Sequence, residues 1–226
     1  MDKVPVRSFA CKMHIKRIGL LFCLVFATIR SYAQFDAQFS QYWALPSYYN
    51  AGSVGYTGKL NLLGASKLQW VGMPNAPKSF FVGADMPLRL FRKDHGVGIT
   101  LYNETMGMYK DMAMHLQYAY KLKLFGGQLG IGVQLGLFDQ AFDPSDKFIP
   151  ESDEHNQTDP GIPEKEVRGM AFDMALGVFY SWKGFYGGLS ATHLTEPVLQ
   201  LDDNTETYIG RLYYLMGGCN IPFKNT

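Results

Sequence analysis

The sequence predicts an all-β protein, an antiparallel transmembrane β-barrel of the outer-membrane type with about eight strands visible. Three observations support this prediction: two adjacent alternating segments joined by a glycine turn, a third alternating segment later in the chain, and an N-terminal secretion signal. Successive side chains of a strand point to opposite faces, so a period of two indicates a strand. About ten such residues cross a bilayer when the strand is tilted.

The chain begins with the features of a secretory signal peptide, predicted over residues 1–33. Basic residues precede an uncharged apolar core at 18–29, and the Ser-Tyr-Ala sequence at 31–33 places small residues where signal peptidase requires them. The mature chain is therefore predicted to begin at Gln34, after Sec-type cleavage near Ala33, and to reach the bacterial outer membrane. A membrane anchor is the alternative interpretation of this segment.

Composition excludes several classes of protein. Charged residues make up 18% of the chain, aromatic residues make up 15%, and the net charge is only +1, which argues against nucleic-acid binding. Cys11 and Cys23 lie in the predicted signal, so Cys219 is the one cysteine expected in the mature chain and no intrachain disulfide is expected. No apolar run after residue 33 approaches 18 residues, so no transmembrane helix is predicted.

The hairpin over residues 112–137 carries the clearest alternation in the chain. Its second strand interleaves glycine and glutamine with apolar residues, and glycine and glutamine suit a wet or crowded lumen. The opposite face needs an apolar solvent, so four residues are predicted to face lipid. They are Leu129, Ile131, Val133 and Leu135.

Eight strands are predicted along the chain, and the connections between them alternate in length. The strands are expected at residues 59–69, 78–86, 96–103, 112–124, 128–138, 170–182, 185–194 and 208–221. Outer-membrane barrels have short periplasmic turns and long outer loops. With the N-terminus in the periplasm, the acidic connections at 139–168 and after the seventh strand are predicted to lie outside, and the basic linker at 87–94 inside.

No catalytic, cofactor-binding or metal-binding constellation is predicted. The glycines at 126–136 lack the following helix and the Lys-Ser/Thr of a phosphate loop, and Asp139, Asp143 and Asp146 do not match an EF-hand. His115 and His193 are isolated from any nucleophile. The chain is therefore predicted not to be an enzyme, and an outer-membrane enzyme ranks last among its possible functions.

The segment at 34–58 differs from the predicted barrel at 59–226 because it is aromatic and irregular. Two interpretations remain open: the segment packs inside or under the barrel, or it presents a contact surface to a periplasmic partner. Six residues are candidates for partner binding under the second interpretation. They are Phe39, Gln41, Tyr42, Trp43, Tyr48 and Tyr49.

This segment also carries a resemblance to a known family. Its Gln38-Phe39-Ser40-Gln41-Tyr42 phrase, followed by Pro46 and Asn50-Ala51-Gly52, resembles the opening of the PorP/SprF family of type IX secretion and gliding proteins. The similarity continues in the Gln-Trp-Val-Gly sequence at 69–72 and in the Ala-Pro-Lys sequence at 76–78. Leu45 departs from the family's asparagine, and Ala51 directly follows Asn50 without the second proline.

The resemblance implies a non-enzymatic outer-membrane component that supports the export or surface anchoring of secreted proteins such as adhesins. It implies no cofactor. The implied partners are outer-membrane lipid, other type IX secretion components, a periplasmic peptidoglycan-associated protein and the secreted adhesin. The alternative function is a small passive porin or an OmpX-like structural barrel. Family members continue for several more strands, so a truncated chain is expected.

Overall fold

The computed structural model describes Asp36, residues 39–146, Pro163, residues 165–202 and residues 205–220. These residues belong to one unit, Phe35–Thr226. The strands are β1 (Asn61–Leu68), β2 (Lys78–Leu90), β3 (Lys93–Met106), β4 (Tyr109–Leu124), β5 (Gly127–Phe142), β6 (Val167–Trp182), β7 (Phe185–Thr192), β8 (Val198–Asp202), β9 (Thr205–Tyr208) and β10 (Leu212–Cys219). One helical turn, α1 (Pro46–Tyr49), lies between 3₁₀ turns at Tyr42–Ala44 and Ala51–Ser53, and a further 3₁₀ turn spans Pro144–Asp146.

Eight of the strands form one antiparallel sheet in the order β1-β2-β3-β4-β5-β6-β7-β10. Each strand pairs with the next along the chain, except that β10 pairs with β7 because the separate β8–β9 hairpin intervenes. The sheet curls into a half-barrel with β1 and β10 at its two edges. The predicted fold class, an all-β antiparallel sheet of the outer-membrane type, is confirmed.

Burial alternates along the strands, and this alternation separates a concave inner face from a convex outer face. In β4, Ala119 and Lys121 are buried, whereas Leu116 and Tyr118 on the other face are 58% and 41% exposed. Phe179 of β6 is an aromatic residue on the mostly small-residue inner face; it is 1% exposed and stacks on Tyr186 at 5.6 Å. Within the described residues, no helix is both long and apolar enough to span a membrane.

The predicted extent of the linker at 87–94 is wrong, because β2 continues to Leu90 and β3 begins at Lys93. A two-residue turn, Phe91–Arg92, joins them. Pro87 indicated a break because proline cannot donate to a strand ladder. The pairing of β1 with β2 ends at Asp85, so Pro87 lies where the other side of β2 is a sheet edge, which tolerates proline.

The connection between β7 and β10 contains a hairpin that the alternation did not predict. β8 and β9 are short, and the inward side chains of Leu199 and Leu201 are buried. Leu199 belongs to the same apolar cluster as Phe138 of β5. The predicted strand at 185–194 also ends earlier, at Thr192, because His193 adopts a left-handed backbone with φ of 52°.

The long acidic connection is shorter than predicted. β5 extends through Asp139 to Phe142, and β6 begins at Val167, so both ends of the predicted 139–168 connection are strand. Residues 147–162 and 164 of this connection lie outside the described residues.

Candidate functional site

The concave face of the sheet is occupied by the N-terminal part of the chain. We call Asp36 together with residues 39–58 the inner segment. Its 3₁₀ turn at Ala51–Ser53 packs against β4, β5, β6 and β7. The segment forms short helical turns held by its own backbone hydrogen bonds, and several of its other backbone groups bond to side chains of the sheet.

Asn50 anchors the inner segment to two strands. Its side-chain amide donates to the carbonyl oxygens of Val178 in β6 and Leu189 in β7, at 3.0 and 3.1 Å. Its Oδ1 accepts from the backbone N–H of Gly52 at 2.8 Å, which caps the 3₁₀ turn. Asn50 is 1% exposed, and a buried amide that lost these partners would leave polar groups unpaired, at a cost of about 1–3 kcal/mol each.

Glycines of the sheet make room for this anchor. A Cβ atom on Gly132 would lie 2.2 Å from the backbone carbon of Ala51, and one on Gly130 would lie 2.1 Å from the carbonyl oxygen of Gly52. The inner segment thus contacts β5 backbone to backbone, an approach that only glycine permits. The sequence indicated that these glycines are small lumen-facing or turn residues. In the structure, Gly130 and Gly132 form a seat for residues 51 and 52.

Polar side chains of the inner face bond to the remaining backbone groups of the segment. Lys121 Nζ donates to the carbonyl oxygen of Gly52 at 2.9 Å, and Gln117 Nε2 donates to the carbonyl oxygen of Ser47 at 2.7 Å. The carboxylate of Asp85 accepts from the backbone N–H of Gly55 at 2.8 Å. The lysine, glutamine and aspartate of the inner face thus supply hydrogen-bond partners to backbone groups of the inner segment. Without these side chains, the same backbone groups would need water as a partner.

Aromatic packing holds the first half of the inner segment. Phe39 and Tyr48 meet edge to face at 5.5 Å between ring centres, and Tyr48 meets Phe81 of β2 at 5.3 Å. Phe39 also packs on Tyr102 of β3 at 6.5 Å. Such aromatic pairs contribute about 0.5–1.5 kcal/mol each beyond the burial of their area.

A charged cluster holds the start of the inner segment. His193 Nε2 lies 2.9 Å from Asp36 Oδ1, and His193 Nδ1 lies 2.9 Å from Asp173 Oδ2 of β6. The hydroxyl of Tyr214 in β10 donates to Asp36 Oδ2 at 2.6 Å. The His193 and Asp173 side chains are only 6% and 1% exposed. The cluster therefore joins the inner segment to β6, to β10 and to the chain just after β7.

The pKa values of His193 and Asp36, the two members of the cluster that lie outside the strands, indicate how the cluster is charged. Burial alone would lower the pKa of His193, but the neighbouring side chains of Asp173 and Asp36 raise that pKa to about 10. Burial would raise the pKa of Asp36, but the hydrogen bond to His193 and the charge of His193 leave that pKa below its ordinary value. At neutral pH His193 is thus an imidazolium beside the carboxylate of Asp36.

Carboxylate oxygens lie 2.9 Å from both ring nitrogens of His193, so neither nitrogen faces a nucleophile among the described residues. A cavity of about 30 Å³ beside the cluster, bordered by Tyr48, Tyr102 and His115, has room for water but not for an organic substrate. In the described part of the chain, no group of three or more His, Cys, Asp or Glu residues is arranged to hold a metal ion.

The six candidate partner-binding residues separate into two groups. The side chains of Phe39, Tyr48 and Tyr49 pack within the concave face. Gln41, Tyr42 and Trp43 are exposed, with Tyr42 and Trp43 57% and 59% accessible and their rings 5.5 Å apart. Only the second group is free to contact another molecule.

The four residues predicted to face lipid lie on the convex face of β5. Ile131 and Leu135 are 47% and 44% exposed, and Leu129 and Val133 are half-buried. Their inward neighbours Gly132 and Gln134 are buried against the inner segment or the facing side chains.

We predict that Gly132→Ala displaces the inner segment, because a methyl group cannot occupy the space held by the Ala51 backbone. The overpacking should lower the free energy of unfolding by about 1–3 kcal/mol. Urea titration in detergent micelles, with proteolysis of residues 39–58 as the second readout, measures both effects. Gly64→Ala is the matched control, since its Cβ would lie 4.0 Å from the nearest atom, the carbonyl oxygen of Phe81. Equal stability of the two variants would contradict the glycine seat.

The curled antiparallel sheet, its apolar outer face and its filled inner face define an outer-membrane-type β-protein with an internal N-terminal segment. The chain belongs to the PorP/SprF family: the family described as "Type IX secretion system membrane protein PorP/SprF" matches residues 31–226. No curated protein and no solved structure matches this chain. The resemblance seen in the sequence is thus confirmed, and the protein is a type IX secretion component of the outer membrane.

Proposed function

We propose that this protein supports the export or surface anchoring of secreted proteins such as adhesins by binding other secretion components, and that it carries out no reaction of its own. Family membership supports this role. The observation that favours it over a passive porin is the inner segment, because residues 39–58 pack on the concave face through hydrogen bonds and aromatic contacts. A porin needs an aqueous channel there.

The exposed Tyr42–Trp43 pair is the proposed contact for a periplasmic or secreted partner. Trp43 borders a groove of about 420 Å³ that runs between the inner segment and β1, where Leu62 and Leu63 also lie. Tyrosine and tryptophan are the residues most enriched at the energetic centres of protein interfaces. Because the inner segment is held by Asn50 and the aromatic cluster, this pair is presented from a rigid base.

Photo-crosslinking from position 43 in cells tests the proposal, together with adhesin export in Trp43→Ala. We expect crosslinks to a type IX component or cargo and a clear loss of export. Tyr213→Ala is the matched control, because Tyr213 is a 73% exposed aromatic on β10 and has no place in the proposed contact. It should export normally. Two results together would instead support the porin alternative: adhesin export that is unchanged in Trp43→Ala, and ion conductance by the wild-type protein in planar bilayers.

A further inference from the structure

Three short turns lie at the same end of the sheet, since in an antiparallel meander every second connection returns to one end. They are Phe91–Arg92 between β2 and β3, Phe125–Gly126 between β4 and β5, and Lys183–Gly184 between β6 and β7. The second and third turns are adjacent: a Cβ on Gly126 would lie 3.6 Å from Nε1 of Trp182.

The side chains at these turns are not the ones that the turns favour. Phe91, Arg92, Phe125 and Lys183 have φ angles of 49°, 61°, 46° and 45°. Two-residue hairpin turns with positive φ select asparagine, aspartate or glycine, and bulky residues are rare there. Backbone geometry thus does not explain the choice of phenylalanine, arginine and lysine, and an outlier of this kind points to a function.

The phenylalanines of this end project away from the protein. Phe91 is 95% exposed, Phe125 is 87% exposed, and Phe185, directly after the third turn, is 61% exposed. These exposed phenylalanines thus lie at one end of the apolar outer face. Rings in such positions enter the boundary between acyl chains and headgroups of a bilayer.

Cations alternate with these rings. Arg92, Lys93, Lys123 and Lys183 are all exposed. Among the described residues, no carboxylate lies within ion-pair distance of any of the four, and the ion pair at this end joins Arg89 to Asp94 at 3.3 Å. The Lys183 ammonium lies 5.1 Å from the centre of the Trp182 ring.

Carboxylates concentrate at the opposite end of the sheet. Asp143 pairs there with Lys110 at 2.6 Å, and Glu196 lies 3.5 Å from Arg211 after β7. Lys110, Arg168 and Arg211 at that end are thus paired with carboxylates, whereas the four cations named at the short turns are not. The resulting asymmetry gives the short-turn end a local positive potential although the net charge of the chain is only +1.

We propose that this end is a binding surface for anionic phospholipid headgroups, which we call the basic aromatic rim (Phe91, Arg92, Lys93, Lys123, Phe125, Lys183 and Phe185). The cations bind the phosphate groups of the leaflet that this end contacts, and the phenylalanine rings insert beside the acyl chains. An acidic protein would satisfy the cations but would leave the phenylalanine rings without an apolar partner. The rim thus fixes the depth of the sheet in the bilayer.

Lipid selectivity of the full chain in reconstituted bilayers tests this proposal. Spin-labelled phosphatidylglycerol and phosphatidylcholine are compared in a phosphatidylcholine host at low and high salt. We expect the wild type to prefer phosphatidylglycerol, and the preference to decrease at high salt. In the triple variant Arg92→Gln/Lys123→Gln/Lys183→Gln the preference should fall at least fivefold, since one cation at a membrane surface contributes about that factor.

The variant Lys67→Gln/Lys78→Gln/Lys165→Gln removes the same charge from the opposite end and should keep the wild-type preference. Equal losses in the two triple variants, or no preference in the wild type, would overturn the proposal. A photoreactive residue at position 125 supplies a second test in cells: adducts to phospholipid are expected, and adducts mainly to an acidic protein would overturn it. Neither readout depends on secretion, so failure here leaves the proposed function untouched.

Discussion

His193→Ala is expected to lower the free energy of unfolding by about 3–5 kcal/mol, the usual cost of removing one partner from a buried ion pair. The substitution would leave Asp36 and Asp173 facing each other without the cation between them, at side chains 18% and 1% exposed. The inner segment should detach at its start, because Tyr214 would be the remaining hydrogen-bond partner of Asp36 among the residues that the structure describes. Urea titration of the detergent-solubilised protein measures the loss.

The same cluster predicts how stability depends on pH. Because the pKa of His193 is raised to about 10 in the folded protein, its contribution is complete below about pH 6.5, the ordinary histidine value, and is lost as pH rises through about 10. Because the pKa of Asp36 is lowered, its contribution is present above the ordinary value of 3.8 and is lost only as pH falls below that value. His193 and Asp36 therefore both contribute to stability throughout the neutral pH range.

His95→Ala is the control for this prediction. His95 is also buried, but its Nδ1 lies 2.6 Å from the hydroxyl of Tyr118 and not beside a carboxylate. The control variant should lose packing energy and keep the alkaline loss of stability near pH 10. If His193→Ala retains that alkaline transition, the transition belongs to another group and the charged cluster is not its cause.

The sequence predicted the sheet well because each strand has one face toward an apolar solvent and one toward the interior. Apolar and small or polar residues therefore alternate along β4, β5 and β6, and this alternation is long enough to recognise in the sequence. The signal fails where strands are short. β8 and β9 have five and four residues, too few for a period of two to stand out.

The inner segment could be recognised as different but not placed. Its partners are remote: Asp36 meets His193 across 157 positions, and Asn50 bonds to Leu189 across 139. No local spacing records such pairs, so His193 looked isolated although both of its nitrogens are engaged. The one local signal was the run of glycines in β5, which marks a close backbone approach without naming what approaches.

The outer face is tested by placing a charge at two depths. Leu135→Arg should lower the free energy of unfolding from a bilayer by about 2–4 kcal/mol, the cost of arginine near the midplane on a lipid-facing strand. Leu135 is 44% exposed on the convex face near the middle of β5. Folding into lipid vesicles, followed by urea titration, measures the loss.

Leu124→Arg is the matched control because Leu124 ends β4 at the short-turn end and is 41% exposed. At the interface the cost of arginine falls to about 0–1 kcal/mol. The inward Gln134 would be a poor control, since it is 5% exposed and accepts a hydrogen bond from Gln117 at 2.7 Å, so arginine there would also disturb packing. Equal losses at positions 124 and 135 would show that depth in the bilayer does not set the cost, and the convex face of β5 would then not be the lipid face.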